Sequence, residues 1–200
     1  MVTYDSILKN IQKHLVLDQE EIDFFTSLIR WRRVPKKSLL LKEGQLCRHL
    51  NYVHSGALRA YCMDKKGKEG TIMFALADWW ITDMYCFLNG KRAMMQIEVL
   101  EDSVIFQISK ENWDRLLSDQ PKFEKLFRIL MQNAYTREQL RAIERLSLSA
   151  EERYESFLAK YPVIASTVTQ KQIASYLGIT PEFLSVIRRM AGGKRGRSRD

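Results

Sequence analysis

Between Lys122 and Ser147 the chain runs without a single Gly or Pro. With no helix breaker inside it, the stretch is expected to form one continuous helix of roughly seven turns. That helix divides the sequence into two textures, with short apolar runs before it and purely helical periodicity after it. Phe123, Leu126, Phe127, Leu130 and Ala134, then Leu140, Ile143 and Leu146, form an apolar stripe along its length. A helix this long and this apolar needs a partner beside it. The partner is either the chain's own sheet or a second copy of the chain. We take the homodimer forward, with Phe123, Leu126, Leu130, Ala134 and Leu140 as the candidate seam.

The half preceding this helix reads as strands behind a helical start. Ile7, Leu8, Ile11 and Leu15 recur at helical spacing, and Asp18-Gln19-Glu20-Glu21 opens a second helix through Phe24, Phe25 and Leu28. From Trp31 onward the runs 38–41, 50–54, 57–63, 71–76, 96–100 and 104–108 are apolar. They are separated by turn signals such as Ser55-Gly56, Asp64-Lys65-Lys66-Gly67 and Asn89-Gly90. Strands at spacings of about ten residues predict a sandwich or jelly roll. After Ser109 a short helix over 112–117 stops at Ser118-Asp119-Gln120-Pro121, ahead of the long one.

Composition excludes several classes. No apolar run reaches the roughly 20 residues that span a bilayer, and Met1–Asp5 lacks a signal peptide's basic and apolar regions. A cytoplasmic protein without membrane partners is expected. Cys47, Cys62 and Cys86 are odd in number and widely spaced, which fits neither a disulfide framework nor a zinc or iron–sulfur site. His14, His49 and His54 do not have metal-ligand spacing either, so no metal is expected. The formal net charge is +8, and residues 147–200 hold nine Lys/Arg against five Asp/Glu. That bias fits a polyanionic partner.

The partner is specified by Thr169 to Arg189. A helix over 149–161, with Ser149 and Glu152 in capping-box order, ends at Pro162. Thr169 and Gln172 then open the next helix in the same order. Ala174 is small enough for a second helix to cross closely, and Gly178 supplies the left-handed angle that turns the chain. Thr180 caps the following helix, with Pro181 and Glu182 in its first turn. Ile173, Leu177, Ile179, Leu184 and Ile187 close a small core between the two. Glu182, Ser185, Arg188 and Arg189 are left pointing outward. This is the pattern of a helix-turn-helix whose second helix reads the major groove of double-stranded DNA. Arg188 and Arg189 suit guanine edges or phosphates, and Glu182 suits a cytosine amino group. Ser185 suits a small groove contact. Thr169, Gln170 and Thr180 suit phosphates. Phe183 either meets a thymine methyl group or packs.

Taken together, the β-rich first half, the long helix and the helix-turn-helix resemble the Crp/Fnr family of bacterial transcription regulators over nearly the whole chain. The resemblance implies an α+β fold: an N-terminal β-roll (jelly roll) effector or sensor domain over 1–110, a connecting and dimerisation helix over 111–147, and a C-terminal helix-turn-helix domain over 148–200. The local match is Ile179-Thr180-Pro181-Glu182-Phe183-Leu184-Ser185-Val186-Ile187-Arg188-Arg189. Glu182 stands at the family's base-reading Glu, and Val186 stands where the family commonly places an Arg. RNA polymerase is the further partner the resemblance implies.

The family's cyclic-nucleotide cassette carries a Gly-Glu pair for the ribose and a later Arg, followed by Ser or Thr, for the phosphate. Here Thr82 replaces the Gly, Asp83 shortens the Glu, Arg92 lies one place off, and Ala93-Met94 replaces the Arg-Ser pair. A one-residue slip sends a strand side chain to the other face, so cyclic nucleotide is not the expected cofactor. The candidate effector pocket is Trp80, Thr82, Asp83, Tyr85, Arg92 and Met94, holding either a filled core or an effector greasier than a cyclic phosphate. No cysteine cluster of the oxygen-sensing branch precedes Cys47. Gly192–Arg199 stand where the family places a β-hairpin wing, and they read as an irregular basic tail.

Two other classes compete with a DNA-binding regulator. A ligand-binding signalling module with secondary DNA contacts would bind its ligand tightly and DNA indifferently. A jelly-roll enzyme needs clustered His and carboxylate metal ligands, which this sequence does not supply.

Overall fold

The computed structural model describes the backbone of residues 2–196 and the side chains of residues 2–190. Two helices open the chain, α1 (Asp5–Gln12) and α2 (Gln19–Leu28), the latter started by a capping box between Asp18 and Glu21. Eight strands follow: β1 (Ile29–Val34), β2 (Leu39–Leu41), β3 (His49–Ser55), β4 (Ala57–Met63), β5 (Glu69–Leu76), β6 (Trp80–Ile81), β7 (Gln96–Val99) and β8 (Ser103–Ser109). They pair antiparallel in two four-stranded sheets, ordered β1-β8-β3-β6 and β2-β7-β4-β5. Both sheets turn their apolar faces onto one core, which makes the expected β-roll.

Turn chemistry fixes the register. Gly56 has φ +93°, and a Cβ there would sit 2.1 Å from Ser103 Oγ, so glycine is required between β3 and β4. Arg59 on β4 is buried between Glu69 and Glu98, at 2.8 and 2.7 Å, and its guanidinium also lies 4.2 Å from the Tyr61 ring centroid. β1 was not among the expected strands. Arg30, Trp31, Arg32 and Arg33 all face solvent there, so only its two ends, Ile29 and Val34, carry an apolar signal.

Beyond the sheets come α3 (Met84–Leu88), α4 (Lys110–Asp119) and α5 (Lys122–Ser147). The first half of α5 belongs to the core of the roll. Phe123 stacks on Phe25 with centroids 5.4 Å apart, and Phe127 lies 3.7 Å from Trp113. Phe123 and Leu126 are fully buried within their own chain, which corrects their placement in a dimer seam. Burying large apolar side chains stabilises by about 2 kcal/mol each, and the roll supplies that without a second copy. Leu130 packs against the same core and Ala134 is half-buried.

The C-terminal unit is α6 (Ala150–Lys160), α7 (Pro162–Thr167), α8 (Gln170–Leu177) and α9 (Pro181–Gly196). Pro162 ends α6 and also starts α7, as its first helical residue. This unit has its own core of Tyr154, Phe157, Ile164, Ile173, Leu177, Leu184 and Ile187, into which Phe74 of β5 inserts. The expected irregular tail begins later than the sequence implies: α9 runs through Gly196, and residues 197–200 lie outside the described residues. No helix among the described residues is long and apolar enough to cross a membrane. Cys47, Cys62 and Cys86 are free, and burial pushes the Cys47 and Cys86 thiols up.

Candidate nucleic-acid interface and effector pocket

The helix-turn-helix forms by local rules. Thr169 Oγ1 accepts from Gln172 N at 3.3 Å, and the Gln172 side chain returns a bond from Thr169 N at 2.9 Å. Gly178 takes φ +73°, and Ile179 N reaches back to the Ala174 carbonyl at 3.0 Å, which closes α8 and reverses the chain. Thr180 Oγ1 accepts from Phe183 N at 3.2 Å, with Pro181 as the first residue of α9. Ile173, Ala174, Leu177, Leu184 and Ile187 are buried, and Ile179 packs at their edge.

With α9 held by Leu184 and Ile187, its free face is determined. Glu182, Ser185 and Arg189 fall on one outward stripe at i, i+3 and i+7, with Val186 beside them, and all are exposed. Arg188 is exposed on the flank of this stripe, next to the buried Leu184 and Ile187. Phe183 is exposed rather than packed in the core. The Ser185 hydroxyl donates to the Pro181 carbonyl at 2.9 Å, leaving only its oxygen lone pairs to the groove. The oxygens of Thr169 and Thr180 are occupied as caps, and Gln170 is half-buried.

The six residues proposed for an effector pocket do not converge. Trp80 and Thr82 line a cavity of about 250 Å³ between the roll and α5, with Leu50, Met73, Phe127 and Leu130. Asp83 is buried behind it and caps α3, accepting from Cys86 N at 3.2 Å and from Met94 N at 2.8 Å. Tyr85 and Met94 are more than half exposed. Arg92 points the other way, donating to the Gly44 carbonyl at 2.9 Å beside an open concavity that also holds Arg32 and Arg48. The physical reason is α3, whose single turn rotates Tyr85 outward and separates it from Trp80. Sequence reasoning missed Asn10 and Asp78 in this cavity. Trp80 Nε1 donates to Asn10 Oδ1 at 3.0 Å, and Asn10 donates to Asp78 at 2.9 Å, across about 70 residues of sequence that carry no local signal.

A cyclic nucleotide does not fit this arrangement. Asp83 occupies the backbone donors at the cassette turn, Ala93 and Met94 offer no phosphate ligand, and Arg92 faces away. The cavity lining is mainly apolar, with Arg137 its one cation.

A sensor-type β-roll followed by a long helix and a helix-turn-helix with an outward polar stripe defines a ligand-sensing or sensor-derived DNA-binding regulator. Comparison with known proteins narrows the class. Residues 31–120 match the cyclic nucleotide-binding domain family. The chain is 28% identical over 183 residues to the fumarate and nitrate reduction regulatory protein of Vibrio cholerae, covering 84% of this chain and 72% of that one. Electron transport regulator A of Shewanella oneidensis is 25% identical, with the same coverage. Among solved structures, the c-di-GMP-responsive global regulator CLP of Xanthomonas campestris superposes with a TM-score of 0.72 at 16% identity, covering 88% of this chain and 93% of that one. FixK2 of Bradyrhizobium japonicum gives 0.69 at 17%, covering 83% and 85%. These likenesses support a transcription regulator of the Crp/Fnr type. It is a DNA-binding regulator and not an enzyme.

Proposed function

We propose that the protein acts as a homodimer whose two copies of α9 enter successive major grooves, about 34 Å apart, and read an imperfect palindrome. The observation that carries this is the outward stripe of Glu182, Ser185 and Arg189 on a helix fixed by Leu184 and Ile187. Arg189 reads a guanine, Glu182 a cytosine amino group, and Phe183 a thymine methyl group, while Arg188, Thr169, Gln170 and Thr180 hold the backbone. Val186 makes an apolar contact where related recognition helices carry Arg, so the preferred sequence differs from theirs. The dimer seam is the second half of α5, where Tyr135, Ile143 and Leu146 are exposed on the face turned away from the roll. Bound at a promoter, the dimer acts on RNA polymerase. Its effector is neutral or largely apolar and sits in the cavity between the roll and α5, against Trp80, Met73 and Leu130.

Selection of bound sequences from a random duplex pool tests the reading. It should enrich a pseudo-palindrome with half-site centres 10–10.5 base pairs apart. Enrichment of an asymmetric site, or of nothing beyond charge-driven binding, would overturn it.

A further inference from the structure

A second cavity, of about 280 Å³, opens between α5, α6 and α8, next to the roll cavity, with which it shares Asn133 and Arg137, and away from the outward face of α9. Arg137, Arg141, Arg145, Arg153 and Lys160 line it, against one carboxylate, Glu144. Glu144 is already bonded to Lys160, and Glu138 is shared by Arg137 and Arg141. Arg141 donates to the carbonyls of Thr71, Ile72 and Tyr176, and Arg153 to those of Arg145 and Leu148. Arg145 and Arg153 nevertheless have no carboxylate partner among the described residues, and the buried Nε atoms of Arg141 and Arg153 are unpaired. Burial, and then the repulsion of Arg141 and Arg153, holds the Arg145 guanidinium below its usual pKa. Crowded, partly desolvated cations of this kind are unfavourable until an anion joins them. Planar guanidinium forks match phosphate oxygens two at a time. Tyr161 and Tyr176 line it as well, with the Arg141 guanidinium 4.0 Å from the Tyr176 ring centroid, so Tyr161 is the ring left to stack a base.

We propose that this cleft binds a phosphate-bearing nucleotide of mononucleotide size, with the phosphate between Arg145 and Arg153 and the base against Tyr161. Inorganic phosphate would leave that ring uncovered, and an uncharged ring would leave Arg145 and Arg153 without an anion. The cleft joins α5 to α8, so its occupant bridges the sensor half and the helix-turn-helix. A consequence for DNA binding rests on the reading above, whereas the site itself does not.

Calorimetric titration of the full chain, without DNA, with 5′-AMP, 5′-GMP, adenosine and inorganic phosphate tests the site alone. At least one nucleotide should bind saturably, about tenfold or more tighter than adenosine or phosphate. Arg145→Ala should weaken it about tenfold with an unchanged melting temperature, while Arg128→Ala, on the exposed face of α5, should bind as the wild type does. Arg145→Gln, which keeps most of the side chain's packing, replaces Arg145→Ala if that variant melts early. Absence of nucleotide binding at millimolar concentration, phosphate binding as tight as nucleotide binding, or full affinity in a folded Arg145 variant would each overturn the proposal.

Discussion

The Asp83 carboxylate accepts the backbone N–H of Met94 at 2.8 Å, and with its other oxygen that of Cys86 at 3.2 Å. The roll therefore holds its own carboxylate at the turn that corresponds to the cyclic-nucleotide cassette of the Crp/Fnr proteins it resembles. Asp83 is almost fully buried, so an entering cyclic phosphate would meet a fixed negative charge and donors already in use.

This arrangement predicts that cyclic AMP at millimolar concentration leaves the melting temperature unchanged; a saturable shift would contradict it. Asp83→Ala removes a helix cap and strands the Met94 N–H. It should cost about 2 kcal/mol in denaturant unfolding, and Asp83→Asn should cost less.

A second carboxylate predicts a pH dependence. Asp78 receives bonds from Asn10 at 2.9 Å, from the Tyr52 hydroxyl at 2.8 Å and from Lys13. Burial alone would raise its pKa, but these three donors outweigh burial and hold it below the usual carboxylate range. A depressed folded-state value stabilises the protein above the unfolded value of about 3.9 and loses that stabilisation as pH falls through the folded one. The melting temperature of wild type should exceed that of Asp78→Asn at neutral pH, and the gap should close in acid. A gap constant from neutral to acid pH would rule this out.

The two halves of α5 should respond oppositely to substitution. Leu146 is 91% exposed and Leu126 is fully buried. Leu146→Asp should give folded monomers by light scattering. Leu126→Asp should unfold the roll, because it places an unpaired charge in a packed core. Folded dimers of Leu146→Asp would move the seam off this face.

Much of this was legible in the chain. Capping boxes at Ser149 and Thr169, and the Gly178–Thr180–Pro181 turn, act over three or four residues, and they form as the local chemistry dictates. β4 matches its expected limits for the same reason, since an unbroken apolar run sits between two turns. What escaped was set at long range. Met84–Leu88 is apolar on all sides, so periodicity did not reveal the turn of helix that separates Tyr85 from Trp80. The stripe of α5 looked continuous, yet its inner side is core as far as Leu130 and then becomes the arginine-lined wall of a cleft. Only the docking of α8 on β5, through Ser175 bonded to Thr71 N at 2.9 Å and to the Glu69 carbonyl at 2.8 Å, decides that change.

Affinity of Arg189→Ala and Arg188→Ala for the selected palindrome and for random duplex, at two salt concentrations, tests the central claim most directly. Arg189→Ala should lose about 1–3 kcal/mol on the palindrome, relax preference at one base pair per half-site, and bind random duplex nearly as the wild type does. Arg188→Ala should weaken both duplexes alike and lower the salt slope by about 1. If both variants bind the palindrome as the wild type does, α9 is not the reading helix and the account of this protein as a groove-reading regulator is wrong.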